Sequence, residues 1–266
     1  MASTASRWAK GNVPSTRRSH QPRTSLHPKP NWRITEDTAL LIDLRLEGKS
    51  AIFFGGGRTA ERKVNKLLER GARITVVSRG FTKDLLELGK RGEIELVEAD
   101  LDEAASVIPD RVSGAGIVIA ATNSPQLNAR ISQAARDEGV LVCAVDMPAL
   151  SDFYFPAVAQ RGSIRVGICT DGKSPLMSKL IKEKIQASIT NEDALGVELQ
   201  AYARSIAKKK IQGSGNRRDA LYNVAQDPDV RSSLATGNLQ GAKERALEVL
   251  EAFQESAGGS SESKGV

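Results

Sequence analysis

From residue 50 onward the apolar residues come in two kinds of block that take turns along the chain. In one kind they run together over a few residues; in the other they recur every three or four. Residues 50–54 (Ser-Ala-Ile-Phe-Phe) form a short apolar run, which reads as a buried strand. Ala60, Val64, Leu67 and Leu68 follow at the spacing of one helix face. The same alternation continues with a strand at 73–77, a helix at 82–91 and a strand at 94–97. A short helix at 101–107, a strand at 116–121, a helix at 125–138 and a strand at 141–145 complete the series. In the 125–138 helix, Leu127, Ile131 and Ala135 share a face. Alternation of this kind predicts an α/β region over residues 36–148: a parallel sheet with helices on both sides.

The pattern changes after residue 148. Residues 155–160 and 163–168 flank Arg161-Gly162, a hairpin signal. Ser174 and Pro175 then offer an N-cap and a first helical residue. Met177, Leu180, Ile181, Ile185 and Ile189 fit a buried face of the helix that follows. Residues 149–190 therefore read as a small α+β domain. Helices at 193–209, 218–226, 230–236 and 239–253 make 191–255 a helical domain, and 256–266 reads as a flexible Gly/Ser tail. Residues 1–35, rich in Ser, Thr, Pro and Arg and without periodicity, read as a disordered leader.

Between the first strand and the first helix lie Gly55, Gly56 and Gly57. The spacing Gly55-x-Gly57-x-x-Ala60 fits the fingerprint of a dinucleotide-binding turn. Glycines let the backbone approach a pyrophosphate, and a helix start supplies free N–H groups and a favourable dipole. A Rossmann-type sheet binds its ligand beyond the carboxyl ends of the strands, where Gly55, Ser78, Thr122 and Asp146 all fall. The expected cofactor contacts are Gly55, Gly56, Gly57, Arg58, Thr59, Ala60, Ser78, Arg79, Thr122 and Asn123.

Charge removes one class of partner. The formal net charge is +6, but residues 1–35 hold seven of the 38 Lys and Arg and none of the 32 Asp and Glu. The rest of the chain is close to neutral, so a nucleic-acid partner has no electrostatic support there. No apolar run is long enough to span a bilayer, and no membrane partner is expected. Cys143 and Cys169, far apart and in apolar runs, read as buried reduced thiols. A reducing, cytoplasmic location follows, although the basic leader leaves organelle import open.

Several segments, taken in order, resemble the precorrin-2 dehydrogenase family: the dehydrogenase modules of siroheme synthases and their stand-alone relatives. They are Leu41-Ile42-Asp43-Leu44 with Gly48-Lys49, Gly55 through Lys63, Gly71 through Val77, and Ile119 through Asn128. Ala144-Val145-Asp146-Met147-Pro148, Asp152 through Ala157 and Thr170 through Pro175 follow. The resemblance covers roughly residues 40–250. It implies a Rossmann domain, a small dimerisation domain and a helical domain, in a homodimer. It also implies oxidation of precorrin-2 to sirohydrochlorin with NAD as hydride acceptor.

In that resemblance Asp146 matches the family's functional aspartate, as a proton acceptor or a group that orients pyrrole N–H; on spacing alone it is a turn residue before Pro148. Asn128, Thr170, Gly172 and Ser174 are the substrate-side candidates. Asn128 could equally tie down the preceding loop, and Ser174 could simply cap a helix. Ser78-Arg79 stands where an acidic residue often meets the ribose, which leaves NADP as second choice. Asp171 stands where the family often has a further glycine. The only histidines, His20 and His27, lie in the leader, and no metal site is expected unless Asp146 also serves iron insertion. The alternatives are a bifunctional dehydrogenase and ferrochelatase, or a non-catalytic dinucleotide- or tetrapyrrole-binding protein.

Overall fold

The computed structural model describes residues 39–101 and 107–259. The chain divides into two units, residues 1–42 and 43–266. The expected leader at 1–35 lies outside the described residues, as do 260–266 of the expected tail.

The second unit begins with alternating strands and helices: β1 (Ser50–Phe54), α1 (Arg58–Leu68), β2 (Arg73–Ser78), α2 (Lys83–Lys90) and β3 (Glu95–Glu98). Then come α3 (Val107–Val112), β4 (Ile117–Ala120), α4 (Pro125–Asp137) and β5 (Leu141–Ala144). All strand pairs are parallel, in the order β3-β2-β1-β4-β5. A short helix is described from Val107 to Val112, and residues 102–106 of the helix expected at 101–107 lie outside the described residues.

β1 is central, and its side chains are buried on both faces, which explains its uninterrupted apolar run. Phe53 joins Ala60, Val64 and Leu67 of α1 and Leu85 of α2 in one core layer. Ile52 and Phe54 join Ile108 of α3 and Leu127 and Ile131 of α4 in the other. Both faces are covered, as a doubly wound sheet requires.

Past β5 the chain doubles back along that strand's open edge. Asp152 Oδ2 accepts from the Val142 N–H at 3.0 Å, and Ser151 Oγ accepts from the Ala144 N–H at 2.9 Å. These bonds satisfy an edge that would otherwise stay unpaired. They also pin the intervening turn, including the single 3-10 turn Pro148–Leu150, at the carboxyl end of the sheet.

β6 (Ala157–Arg161) and β7 (Ile164–Ile168) form the expected antiparallel hairpin, and α5 (Pro175–Ser188) packs on it. The buried face expected for α5 is not buried: Met177 and Leu180 are exposed and Ile181, Ile185 and Ile189 half-buried. Two strands are too narrow to cover an amphipathic helix. Cys169, just past β7, is also exposed, in contrast to the buried Cys143.

α6 (Asn191–Lys210), α7 (Ser214–Gln226), α8 (Pro228–Ala235) and α9 (Leu239–Gly259) form a bundle with its own core. α9 runs past the expected limit at 253, so residues 256–259 are helical rather than part of a tail. Asp227 caps α8, accepting from the Asp229 and Val230 N–H groups at 3.0 Å each. The Arg245 guanidinium reaches the same carboxylate from α9, with Nη2 2.9 Å from Oδ2. This pairing, against a smaller opposing effect of burial, holds the Asp227 carboxyl below the usual carboxylate range. A depressed carboxylate adds stability above its ordinary pKa and loses it as pH falls through the depressed value. Asp227→Ala is expected to destabilise the bundle by about 1 kcal/mol through the lost cap alone. In urea unfolding, the gap to wild type should narrow below about pH 4; a gap that stays constant would exclude ionisation as its source.

Candidate functional site

A cleft of about 730 Å³ opens at the carboxyl edge of the sheet. Of the expected cofactor residues, Gly55, Gly56, Gly57, Ser78, Arg79, Thr122 and Asn123 line it. The loops after β1, β2 and β4 bring them together because parallel strands end on the same side.

The three glycines do different things. Gly55 has φ +110°, and a Cβ there would overlap the Ala121 carbonyl oxygen; a Cβ at Gly56 would overlap the Gly80 carbonyl oxygen. These two let neighbouring loops close against the turn. Gly57 has φ −83°, which any residue adopts, and a Cβ there meets nothing within 4 Å. It is exposed, and it caps α1 without any side-chain hydrogen bond. The N–H groups at the start of α1 are thus left for an anion, and the residues fit a dinucleotide pyrophosphate.

Arg58, Thr59 and Ala60 belong to α1 and do not line the cleft. Ala60 is fully buried and sets the close packing of helix on sheet. Arg58 and Thr59 lie in the first turn of α1, Arg58 exposed and Thr59 half-buried.

Asn128 is buried, and both halves of its carboxamide are engaged. Its Oδ1 accepts from the Thr122 N–H at 3.1 Å and from Thr122 Oγ1 at 2.7 Å, while Nδ2 donates to the Thr122 carbonyl at 3.2 Å. This fastens the loop after β4 to α4, which is the tying role rather than a free substrate contact.

Thr170 and Ser174 are likewise occupied locally. Thr170 Oγ1 lies 2.9 Å from Ser178 Oγ, and Ser174 Oγ accepts from the Met177 N–H at 3.1 Å to cap α5. Asp171 and Gly172 have φ +48° and +73°. The left-handed backbone at 171 explains why a glycine suits that position and why Asp, which tolerates this region, can replace it. None of Asn128, Thr170, Gly172 or Ser174 lines the cleft.

Asp146 sits in the turn after β5, at the same sheet edge, and does not line the cleft either. Its φ is +60° and it is exposed. Such a conformation is uncommon outside glycine and is most often tolerated by Asn and Asp. Beside it lies a residue that the motif contained but that helical periodicity did not mark as functional. Lys63 of α1 is half-buried, with Nζ 4.3 Å from the centre of the Phe155 ring. Burial pushes its pKa down, and Cys143 and Asp146 oppose that shift. Cys143 in turn is pushed up by burial and lowered by Lys63. A cation without an ion-pair partner among the described residues therefore lies close enough to Asp146 to feel its charge. No group of three His, Cys, Asp or Glu among the described residues is placed to hold a metal ion.

Comparison with known proteins bears on the family and the fold. A family model described as "Putative NAD(P)-binding" matches residues 42–157. The chain is 34% identical over 215 residues to a Methanosarcina barkeri protein named precorrin-2 dehydrogenase, covering 80% of this chain and 94% of that one. The chain belongs to the precorrin-2 dehydrogenase family. Siroheme synthase 1 of Aeromonas salmonicida is 30% identical over 207 residues, 78% of this chain but 43% of the longer relative. This family member thus spans under half the length of that siroheme synthase. The solved structure of SirC, a precorrin-2 dehydrogenase, matches with a TM-score of 0.63 at 22% identity, over 79% of this chain and 100% of SirC, which bears on the fold. The resemblance read from the ordered motifs is borne out, and the cofactor class is a nicotinamide dinucleotide.

Proposed function

We propose that this protein is an NAD-dependent precorrin-2 dehydrogenase that yields sirohydrochlorin. The observation that carries the proposal is placement: the open Gly57 turn and the exposed Asp146 carboxylate lie at one edge of one parallel sheet. Dehydrogenation removes a hydride and a proton. Bound NAD supplies the hydride acceptor. The chain holds the dinucleotide at the α1 start, and Asp146 takes the proton or orients the pyrrole N–H groups. Lys63, half-buried on α1 against the Phe155 ring, offers a cation to an anionic substrate.

NAD is favoured over NADP by the surroundings of Arg79. Arg79 Nη1 lies 3.6 Å from Asp100 Oδ2, so the cation that could accept a 2′-phosphate already faces a carboxylate. An anaerobic absorbance assay with enzymatically made precorrin-2 tests the proposal. Sirohydrochlorin should form together with reduced cofactor, faster with NAD than with NADP. No oxidation with either cofactor would refute it.

The proposed assembly is a homodimer through α5 and the hairpin. Leu176 is 65% exposed, Met177 and Leu180 are each 47% exposed, and Val158 adds to the same subdomain surface. A run of large apolar side chains of this kind marks an interaction surface. Leu180→Glu should give a monomer by light scattering, because an unpaired buried charge is strongly unfavourable; a dimer of unchanged mass would place the interface elsewhere. No described helix is long and apolar enough to cross a membrane. The proposed location is the cytoplasm, tested with a fluorescent fusion: an organellar signal would assign the basic leader a targeting role.

A further inference from the structure

Away from the sheet edge, α6 and α7 enclose a second groove of about 560 Å³ that shares no residue with the cofactor cleft. Arg204 and Lys208 enter it from α6, one helical turn apart, and Arg217 and Arg218 enter from the start of α7. No carboxylate lines it. The chain beyond residue 35 is close to neutral, so four cations around one concavity are a local concentration.

That concentration is poorly compensated. Like charges four apart on a helix repel. Arg217 and Arg218 lie near a helix start whose own dipole is positive, and Gly213 caps it without a side chain. Arg218 has a partner, with Nε 3.3 Å from Asp219 Oδ1. Arg217 donates from Nη1 to the Ile211 carbonyl at 3.2 Å, which fixes the guanidinium without neutralising it. Arg204 and Lys208 have no ion-pair partner among the described residues. Between the cations the surface is mostly apolar: Ala207 is buried, Leu221 half-buried and Tyr222 61% exposed, with Gln200 and Ser214 as the polar lining residues.

We propose that this groove binds the carboxylate fringe of a tetrapyrrole, with the macrocycle edge against Leu221 and Tyr222 and its carboxylates on Arg204, Lys208 and Arg217. The cations require several negative charges, and the apolar floor requires a hydrophobic body between them. A free phosphate supplies only the first. The identity of the ligand rests on the dehydrogenase reading, but the groove is tested separately.

The probe is uroporphyrin, an aromatic ring with eight carboxylates, titrated by fluorescence against the full-length protein. Mesoporphyrin, with two carboxylates, and inorganic phosphate are the comparisons. The double variant R204Q/K208Q should bind uroporphyrin about tenfold more weakly, the size expected from losing two exposed charge pairs. R218Q, which removes a cation that is already paired, should change affinity less. Wild-type affinity for uroporphyrin should fall with added salt. Equal affinity of wild type and a folded R204Q/K208Q overturns the proposal, as does equally tight binding of mesoporphyrin or full displacement by low-millimolar phosphate. Protein that oxidises precorrin-2 while R204Q/K208Q binds uroporphyrin normally keeps the dehydrogenase and loses the groove. Protein that binds uroporphyrin through these cations yet oxidises nothing keeps the groove and loses the dehydrogenase.

Discussion

Gly57→Val removes NAD binding while the protein still folds, with a loss of about 1 kcal/mol from the poorer N-cap of α1. The backbone at Gly57 already has φ −83°, so valine adds no conformational strain. Its side chain meets no protein atom at the first carbon, because that direction is open space. The same space is where a pyrophosphate must approach the backbone of the turn. Calorimetric titration should show NAD affinity reduced by at least about 100-fold, or roughly 2.7 kcal/mol. Affinity within a few-fold of wild type would mean that the dinucleotide does not lie on this turn. Gly55 and Gly56 are poor tests of the same idea. Side chains there collide with the Ala121 and Gly80 carbonyl oxygens, so lost binding could not be separated from a damaged fold.

Asp146→Asn should lower kcat by about 10²- to 10⁴-fold, the usual contribution of a positioned acid or base, with NAD affinity unchanged. The choice of Asn follows from the backbone. At φ +60° an alanine adds strain, whereas Asn tolerates this region and keeps the shape of Asp. The substitution therefore removes the charge and little else. It also removes one of the influences that raise the Lys63 pKa, so that pKa should fall further. Single-turnover kinetics with NAD prebound would separate binding from chemistry. A rate within a few-fold of wild type would leave Asp146 as a turn residue only.

The glycine turn was legible because its chemistry is local. A strand, a tight turn and a helix start occupy consecutive residues, and each leaves its own mark in residue type. The sheet was legible because β1, with Ala51 through Phe54 buried, tolerates no polar position. Asn128 was legible as a polar residue on an apolar helix, but its partner was not: six residues back, Thr122 meets it only because the loop after β4 folds onto α4. Lys63 was hidden in the solvent-facing pattern of α1. Its position becomes informative only when Cys143, Asp146 and Phe155, all more than 75 residues later, are brought beside it.

The sequence by itself determined the order of elements, the parallel sheet, the glycine turn and the family. Each of these rests on residues that are neighbours in the chain or repeat at a fixed period. Only the tertiary structure decided which glycine faces open space, which polar side chains are already spent on holding loops, and that α5 keeps apolar residues exposed. It also gathered Arg204, Lys208, Arg217 and Arg218 into one groove. Such facts depend on what lies across from a residue, and burial, charge proximity and free volume are properties of that second partner as much as of the first.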